Sequence, residues 1–465
     1  MIPMQKNKKK DKSTRMLEEP VNKLIPAMAV PTIVAQLITT IYNLADTYFV
    51  SSLGVNATAA VGVNGSLERT ITLIGSLLGA GACSYIARLL GAGRKKEAET
   101  VLSTSFFTGC GLGILLLIAG LIFVSPLVQL LGATEDCAVY AMQYAQYVLL
   151  AAPFMVGSFI LNMCLRSEGS ATFAMVGIGI GGLLNCVLDP IFIFALGLGV
   201  KGASIATAIS KFISFCILLT PYLRKKCTVS IRLKAFKFVA QDVKEVLGIG
   251  STSFFRSLFG VVANVVTNQI AGGFSTAALA ALSVANRVME FPFSIILGYG
   301  QGYQPVVGFN WGAKRFDRVK KSLQFGVTSS LIGAVIMGAI IFLGARPIIS
   351  AFNSEADAEV LRLGLLCIRL QCIALPIHAF TSLINMFYAG VGIAKYALLM
   401  STARQGYCLI PVVLIVPALI GVDGMAASQA IADVVSLLVA VPLTVHAVRL
   451  LKAKQAALDE SETAV

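Results

Sequence analysis

An all-α membrane protein, with twelve transmembrane helices in two pseudo-symmetric six-helix bundles, is predicted by three observations. First, 57% of the 465 residues are hydrophobic and only 13% charged, with a mean hydropathy of +0.82. A soluble domain runs at about 45 to 50% apolar and about 25% charged, so one core in water cannot hide this excess and lipid must be the solvent. Second, the apolar residues fall into stretches long enough to cross a bilayer, about 20 residues each, separated by short polar loops. Third, the two halves of the chain repeat each other.

Taken in order, a basic tail at 1-23 leads into spans at 24-50, 58-88, 98-124, 138-165, 170-196 and 202-222, the first lobe being 24-222. The first apolar stretch is far longer than a signal-peptide core, so it is expected to stay in the membrane. A basic, weakly hydrophobic linker at 223-243 follows. Spans at 244-271, 278-309, 319-343, 359-388, 394-419 and 425-449 then make the second lobe, 244-450, before a tail at 451-465.

The charge pattern orients these spans. Lysine and arginine total 37 against 23 acids, and they cluster at Lys6 to Lys23, Arg88 to Lys96, Arg224 to Lys244, Lys314 to Lys321 and Arg449 to Lys454. The opposite set of loops carries only Lys201 and Arg346. This is the positive-inside pattern of a multi-pass protein of the inner (plasma) membrane with both termini cytoplasmic, and not the single basic face of a nucleic-acid-binding fold.

The repeat is legible residue by residue. A shift of 221 superposes Gly79, Gly81, Gly91, Ala92, Arg94 and Leu102 on Gly300, Gly302, Gly312, Ala313, Arg315 and Leu323, and Asn43 on Asn264. A shift of 223 aligns Pro153, Asn162, Met163 and Gly169 with Pro376, Asn385, Met386 and Gly392. Because six is even, the second lobe enters with the orientation of the first. The lobes are then related by an axis along the membrane normal, a geometry that places a substrate site near mid-membrane.

Soluble chemistries fail. Gly177, Gly179 and Gly182 satisfy G-x-G-x-x-G but lie inside an apolar helix, where small residues serve packing, and no G-K dipeptide exists to start a phosphate loop. The only histidines are His378 and His446, and the ten cysteines contain no C-x-x-C pair. No enzyme, organic cofactor, zinc site or disulfide framework is expected.

What remains is acid within the spans, which is costly there and marks function by default. Five candidates exist: Asp46, Glu68, Asp189, Glu290 and Asp433. Glu68 has Arg69 beside it, Glu290 lies one turn after Arg287, and Asp433 is placed to pair with Arg404 of the neighbouring helix, so these three read as ion-paired. Asp46 and Asp189 have no basic residue within two turns of their own helices. Asn185 and Asp189 share one face of the fifth span by their i, i+4 spacing, and Ala203 and Thr207 do the same on the sixth. Two carboxylates, an amide oxygen and a hydroxyl make the all-oxygen set that a hard monovalent cation or a proton relay requires. The repeat maps Asp46 to Thr267 and Asp189 to Val412, so the acid pair belongs to the first lobe only.

The segments Y-N-L-A-D-T-Y-F-V at 42-50, L-N-C-V-L-D-P-I-F at 184-192, G-V-K-G-A-S-I-A-T at 199-207 and Q-P-V-V-G-F-N-W-G-A at 304-313 resemble the multidrug and toxic compound extrusion (MATE) family, in particular its bacterial drug exporters. The resemblance extends from Leu24 to Leu450. It implies a V-shaped pair of bundles that exports organic cations by proton or sodium antiport through alternating access, as a monomer in lipid. It further implies a cation-coupling site at Asp46, Asn185, Asp189, Ala203 (through its backbone) and Thr207. If the ion is sodium, Asp46, Asn185, Asp189 and Thr207 are its ligands. Tyr42, Tyr144, Asn162 and Met163 fall at the substrate cavity, and Pro31 at the bending position of the first helix.

One departure stands out. Some members carry acids in the seventh and tenth helices, but here the seventh carries Arg256 and 367-388 contains no acid. Arg256 is expected to pair with Glu290 and to take no part in ion coupling. The alternative function is a flippase for lipid-linked sugars or polysaccharide precursors, with Arg256, Arg287 and Arg404 facing a pyrophosphate.

Overall fold

The computed structural model describes residues 12–352 and 357–463, and among these there is no β-strand. A short α1 (Lys12–Glu18) precedes α2 (Val21–Ser51), α3 (Val55–Gly91) and α4 (Lys95–Ile122). After a short α5 (Val124–Leu130) come α6 (Glu135–Ser167), α7 (Ala171–Pro190) and α8 (Gly199–Leu223). The second half holds α9 (Ala240–Phe274), α10 (Thr276–Gly312), α11 (Phe316–Phe352), α12 (Ala358–Val391), α13 (Ala394–Thr402) and α14 (Leu409–Thr463).

Eleven continuous helical segments are long and apolar enough to cross a membrane, and the last of them, Ala394–Ser461, is 68 residues long. At 1.5 Å per residue that is far more than one bilayer. Its backbone leaves the helical region at Ile420 and at Gly421, where φ is +69°. Two crossings are therefore joined end to end at a break, which makes twelve in the described chain. The expected polar loop between the last two spans is replaced by this single glycine reversal.

Two further departures bend helices. The fifth span ends its α-helix at Pro190 and continues as a π-helical turn, Ile191–Ala195, directly after Asp189. A second π-turn, Ala403–Tyr407, lies between α13 and α14. Pro31, expected to bend the first span, sits in an α2 that runs unbroken through both Pro26 and Pro31.

Helices α2, α3, α4, α6, α7 and α8 pack on one another, as do α9 to α14, and the two sets meet chiefly through α2 on α10 and α3 on α9 and α10. These meetings concentrate in the half of the bundle that carries the basic loops, the basic end. There the repeated glycines are in backbone contact: a Cβ on Gly91 would lie 1.9 Å from the Phe309 carbonyl oxygen, and one on Gly312 would lie 2.0 Å from that of Arg88. Gly81 against Val246 and Gly302 against Ala29 repeat the arrangement one level in. The seam also carries the Arg88–Glu245 ion pair at 2.7 Å, Tyr85 Oη on Asp242 at 3.2 Å, and hydrogen bonds from Ser84 to Ala389 and from Arg166 to Gln301. Arg318 adds a bond at 2.7 Å to the Glu19 carbonyl, tying the start of the chain to α11.

Toward the opposite end the polar residues are exposed instead: Asn43 and Thr47 on α2, Arg69 and Thr70 on α3, Asn268 and Gln269 on α9, Arg287 and Glu290 on α10. Such groups are too costly to face lipid, so they line a wet cleft between the halves. The bundle is sealed at its basic end and open at the other.

Candidate functional site

The i, i+4 spacing on α7 and α8 does what the sequence requires of it. Asn185 Nδ2 donates to Asp189 Oδ1 at 3.1 Å and to Thr207 Oγ1 at 3.3 Å. Tyr144 of α6, 1% exposed, lies beside Thr207 in this cluster, within electrostatic reach of Asp46 and Asp189. Asp189 is fully buried, Asn185 and Thr207 nearly so, and Ala203 lies buried one turn before Thr207. Close approach of the helices makes this possible: a Cβ on Gly202 would meet the Phe192 carbonyl oxygen at 2.5 Å, which brings the start of α8 against the π-turn after Asp189. π-Turns recur at functional sites because they turn a side chain out of register.

Asp46 of α2 faces this cluster and lies within electrostatic reach of Asp189. One oxygen of each acid, Asp46 Oδ1 and Asp189 Oδ2, is buried with no hydrogen-bond partner. A buried carboxylate oxygen without a donor is costly unless a proton or cation satisfies it. The constellation can thus accept a hard cation or a proton.

Several expectations are corrected. Asn162, expected at the substrate cavity, is buried and its amide donates to the Ala174 carbonyl at 2.9 Å, near the basic end of α6. It is 18 residues, or ~27 Å of helix, from Tyr144. Its repeat partner Asn385 does the same with Ala397 at 3.4 Å, so both fasten neighbouring helices. Met163, also expected there, is 8% exposed and packs its sulfur against the Arg166 guanidinium. Among the described residues Glu68 forms no salt bridge with Arg69, nor Glu290 with Arg287; Arg69, Arg287 and Glu290 are exposed. Arg256 forms no salt bridge with Glu290 among the described residues; it lies within electrostatic reach of His378, which is also near Arg404. Asp433 and Arg404 do pair, at 2.8 Å, with the guanidinium 4.3 Å from the Phe293 ring centroid. Gly177 and Gly182 pack against Leu218 and Tyr42, as small residues in a membrane helix should. All ten cysteines are free.

One residue was missed altogether. Lys211 of α8 donates to the Tyr42 hydroxyl at 2.7 Å, with its ammonium 4.8 Å from the ring centroid. Asp46 and Glu68 are both within its electrostatic reach. The signal was present in the sequence, since Ala203, Thr207 and Lys211 are i, i+4 and i+8 and must share a face.

A multi-pass helical protein with a buried ion-accepting constellation in one half, beside a cleft open at one end only, belongs to the class of membrane transporters and not to the enzymes. The MatE family model matches residues 31–191 and 252–415, two matches that begin 221 residues apart, the offset of the internal repeat. The chain belongs to the MatE family. Multidrug export protein MepA of Staphylococcus saprophyticus is 26% identical over 413 residues, 89% of this chain and 91% of its own. MepA of Staphylococcus aureus (strain MSSA476) is 27% identical over 417 residues, 90% and 92%. Among solved structures, a multidrug resistance MATE family transporter of the MOP superfamily in an outward-facing conformation has a TM-score of 0.90 at 26% identity, covering 97% of this chain and 100% of that one. A MATE in complex with MaL6 also has a TM-score of 0.90, at 25% identity over 95% and 99%.

Proposed function

We propose that this protein is a secondary active exporter of drugs and other amphipathic organic cations, driven by inward movement of protons or sodium ions. It acts as a monomer in the plasma membrane with both termini cytoplasmic. The sealed basic end then faces the cytoplasm and the cleft faces outward. The lobes 24-222 and 244-450, joined by 223-243, exchange the two openings. The observation that carries this reading is the pair of unpartnered buried oxygens, Asp46 Oδ1 and Asp189 Oδ2, beside Asn185, Thr207 and Tyr144. The names of the MepA relatives support drugs as the cargo.

Coupling follows from competition. With the acids ionised the cleft attracts a cationic substrate, and a proton or sodium ion arriving from outside neutralises them and favours release. The test is efflux of ethidium from proteoliposomes under separately imposed pH and sodium gradients, with Asp189→Asn as the control. Export driven by one gradient and lost in the variant supports the reading. A protein indifferent to both gradients, with Arg256 and Arg287 needed for lipid-linked sugar binding, supports the flippase.

A further inference from the structure

Lys211 is not explained by cation binding, since an ammonium beside an acid cluster opposes the cation that the cluster is meant to hold. It also lacks the usual structural excuse for a lysine within a span. Its hydrogen bond goes to a neutral phenol, Tyr42, and among the described residues it forms no direct ion pair with Asp46 or Glu68. A lysine ammonium has three donors, and Tyr42 takes one. The ammonium also sits 4.8 Å from the Tyr42 ring centroid, and that ring is in turn pressed against Gly182, where a Cβ would come within 2.8 Å. Lysine and tyrosine are both partly exposed, as are Asp46 and Glu68, and the flanking Asn43, Thr47 and Arg69 open to the cleft. The positive group is therefore positioned, partly unsatisfied and reachable from the cleft. Two carboxylates stand near it on different helices, α2 and α3.

Resting on the export reading above, we propose that Lys211, positioned by Tyr42, forms an anion-accepting subsite next to the Asp46 and Glu68 carboxylates. The first lobe then selects zwitterionic amphiphiles, carrying an amine and a carboxylate, over simple monocations. A monocation entering the acid cluster meets the Lys211 charge and gains nothing from it. A zwitterion places its amine toward the carboxylates and its own carboxylate on the free ammonium donors, so that both charges are paired when desolvated. Lys211 thereby sets substrate charge without itself being a member of the ion-coupling constellation of Asp46, Asn185, Asp189 and Thr207, which it neighbours through Asp46.

The test uses the full-length protein in detergent and two forms of one dye. A rhodamine methyl ester is a monocation, and its free acid is a zwitterion at neutral pH. Binding of each is read by fluorescence polarisation in wild type, Lys211→Met and Lys211→Arg, with folding verified by gel filtration. In wild type the acid should bind more tightly. Lys211→Met should weaken the acid and tighten the ester, about threefold each, moving the ratio of their affinities about tenfold, whereas Lys211→Arg should keep the wild-type ratio. An unchanged ratio in Lys211→Met overturns the subsite while leaving export of the ester intact, so the two readings fail separately. A wild type that binds neither form overturns both. Should Lys211→Met misfold, Tyr42→Phe, which removes only the hydroxyl that holds the ammonium, must lower the ratio or the proposal falls.

Discussion

The seam at the basic end should yield to a single methyl group. In Gly91→Ala the new Cβ would stand 1.9 Å from the Phe309 carbonyl oxygen, whereas ordinary contact begins at 3.4 Å, so α3 and α10 must part by roughly 1.5 Å. Gly312→Ala makes the reciprocal clash on the Arg88 carbonyl at 2.0 Å. The obstructing atoms are backbone, so no rotamer change relieves them, and overpacking of this kind costs about 1–3 kcal/mol. The clash exists only while the seam is closed. The ratio of seam-closed to seam-open protein should therefore fall by roughly 5- to 150-fold for either variant. Both act at one helix crossing, so the double variant should cost less than the sum. Spin labels at exposed positions Lys95 of α4 and Lys320 of α11, with the exposed Cys216 replaced by serine, report the separation across the basic end. Distance distributions should shift to longer values in each variant. A wild-type distribution in well-folded Gly91→Ala, Gly312→Ala and the double variant would refute the idea that these glycines hold the seam.

Asp46→Asn should abolish gradient-driven export in cells while leaving the amount of inserted protein unchanged, measured as drug resistance against a quantified membrane fraction. Asp189→Asn and Thr207→Ala should each weaken coupling-ion binding, read as cation-dependent protection of a cleft cysteine, whereas Thr267→Ala, the repeat partner of Asp46, should not; its hydroxyl only caps the Ala263 carbonyl at 2.7 Å. For the buried Arg404–Asp433 pair, either Arg404→Gln or Asp433→Asn should cost about 3–5 kcal/mol in detergent and the double variant less than the two losses combined, because a lone buried charge is worse than none. Strictly additive losses would mean the groups act independently. Glu168, at the basic end, accepts from the Thr228 and Val229 amides, and burial pushes its carboxyl up to about 7 against the opposing pull of those amides and Lys12. A raised folded value means the native state binds the proton more tightly than the unfolded chain. The stability this supplies is present at low pH and lost as pH rises from the ordinary value of 4.5 through about 7, by up to ~3 kcal/mol. Melting temperatures from pH 5 to 8 should show that decline in wild type and not in Glu168→Gln.

Some of this was written in the chain at short range. Hydropathy set the number of crossings, because every residue in lipid must satisfy its backbone locally and therefore sits in a helix. The Asn185–Asp189 and Ala203–Thr207 faces were readable because a helix repeats every 3.6 residues, and the glycine pairs Gly91 and Gly312 were visible as a repeat. Their use as a seam was not, since only the crossing of α3 with α10 brings a backbone within reach of either.

Side-chain encounters between helices belong to the tertiary structure alone. Glu68 and Arg69 are neighbours in sequence but occupy different faces of α3, while Lys211, 169 residues from Tyr42, lies on it. Asn162 and Tyr144 share a helix yet serve opposite ends of it. Span, orientation and repeat follow from composition and local periodicity, whereas partners follow from how each helix is rotated and where it crosses its neighbours. Those rotations are set by the packing of all twelve crossings together.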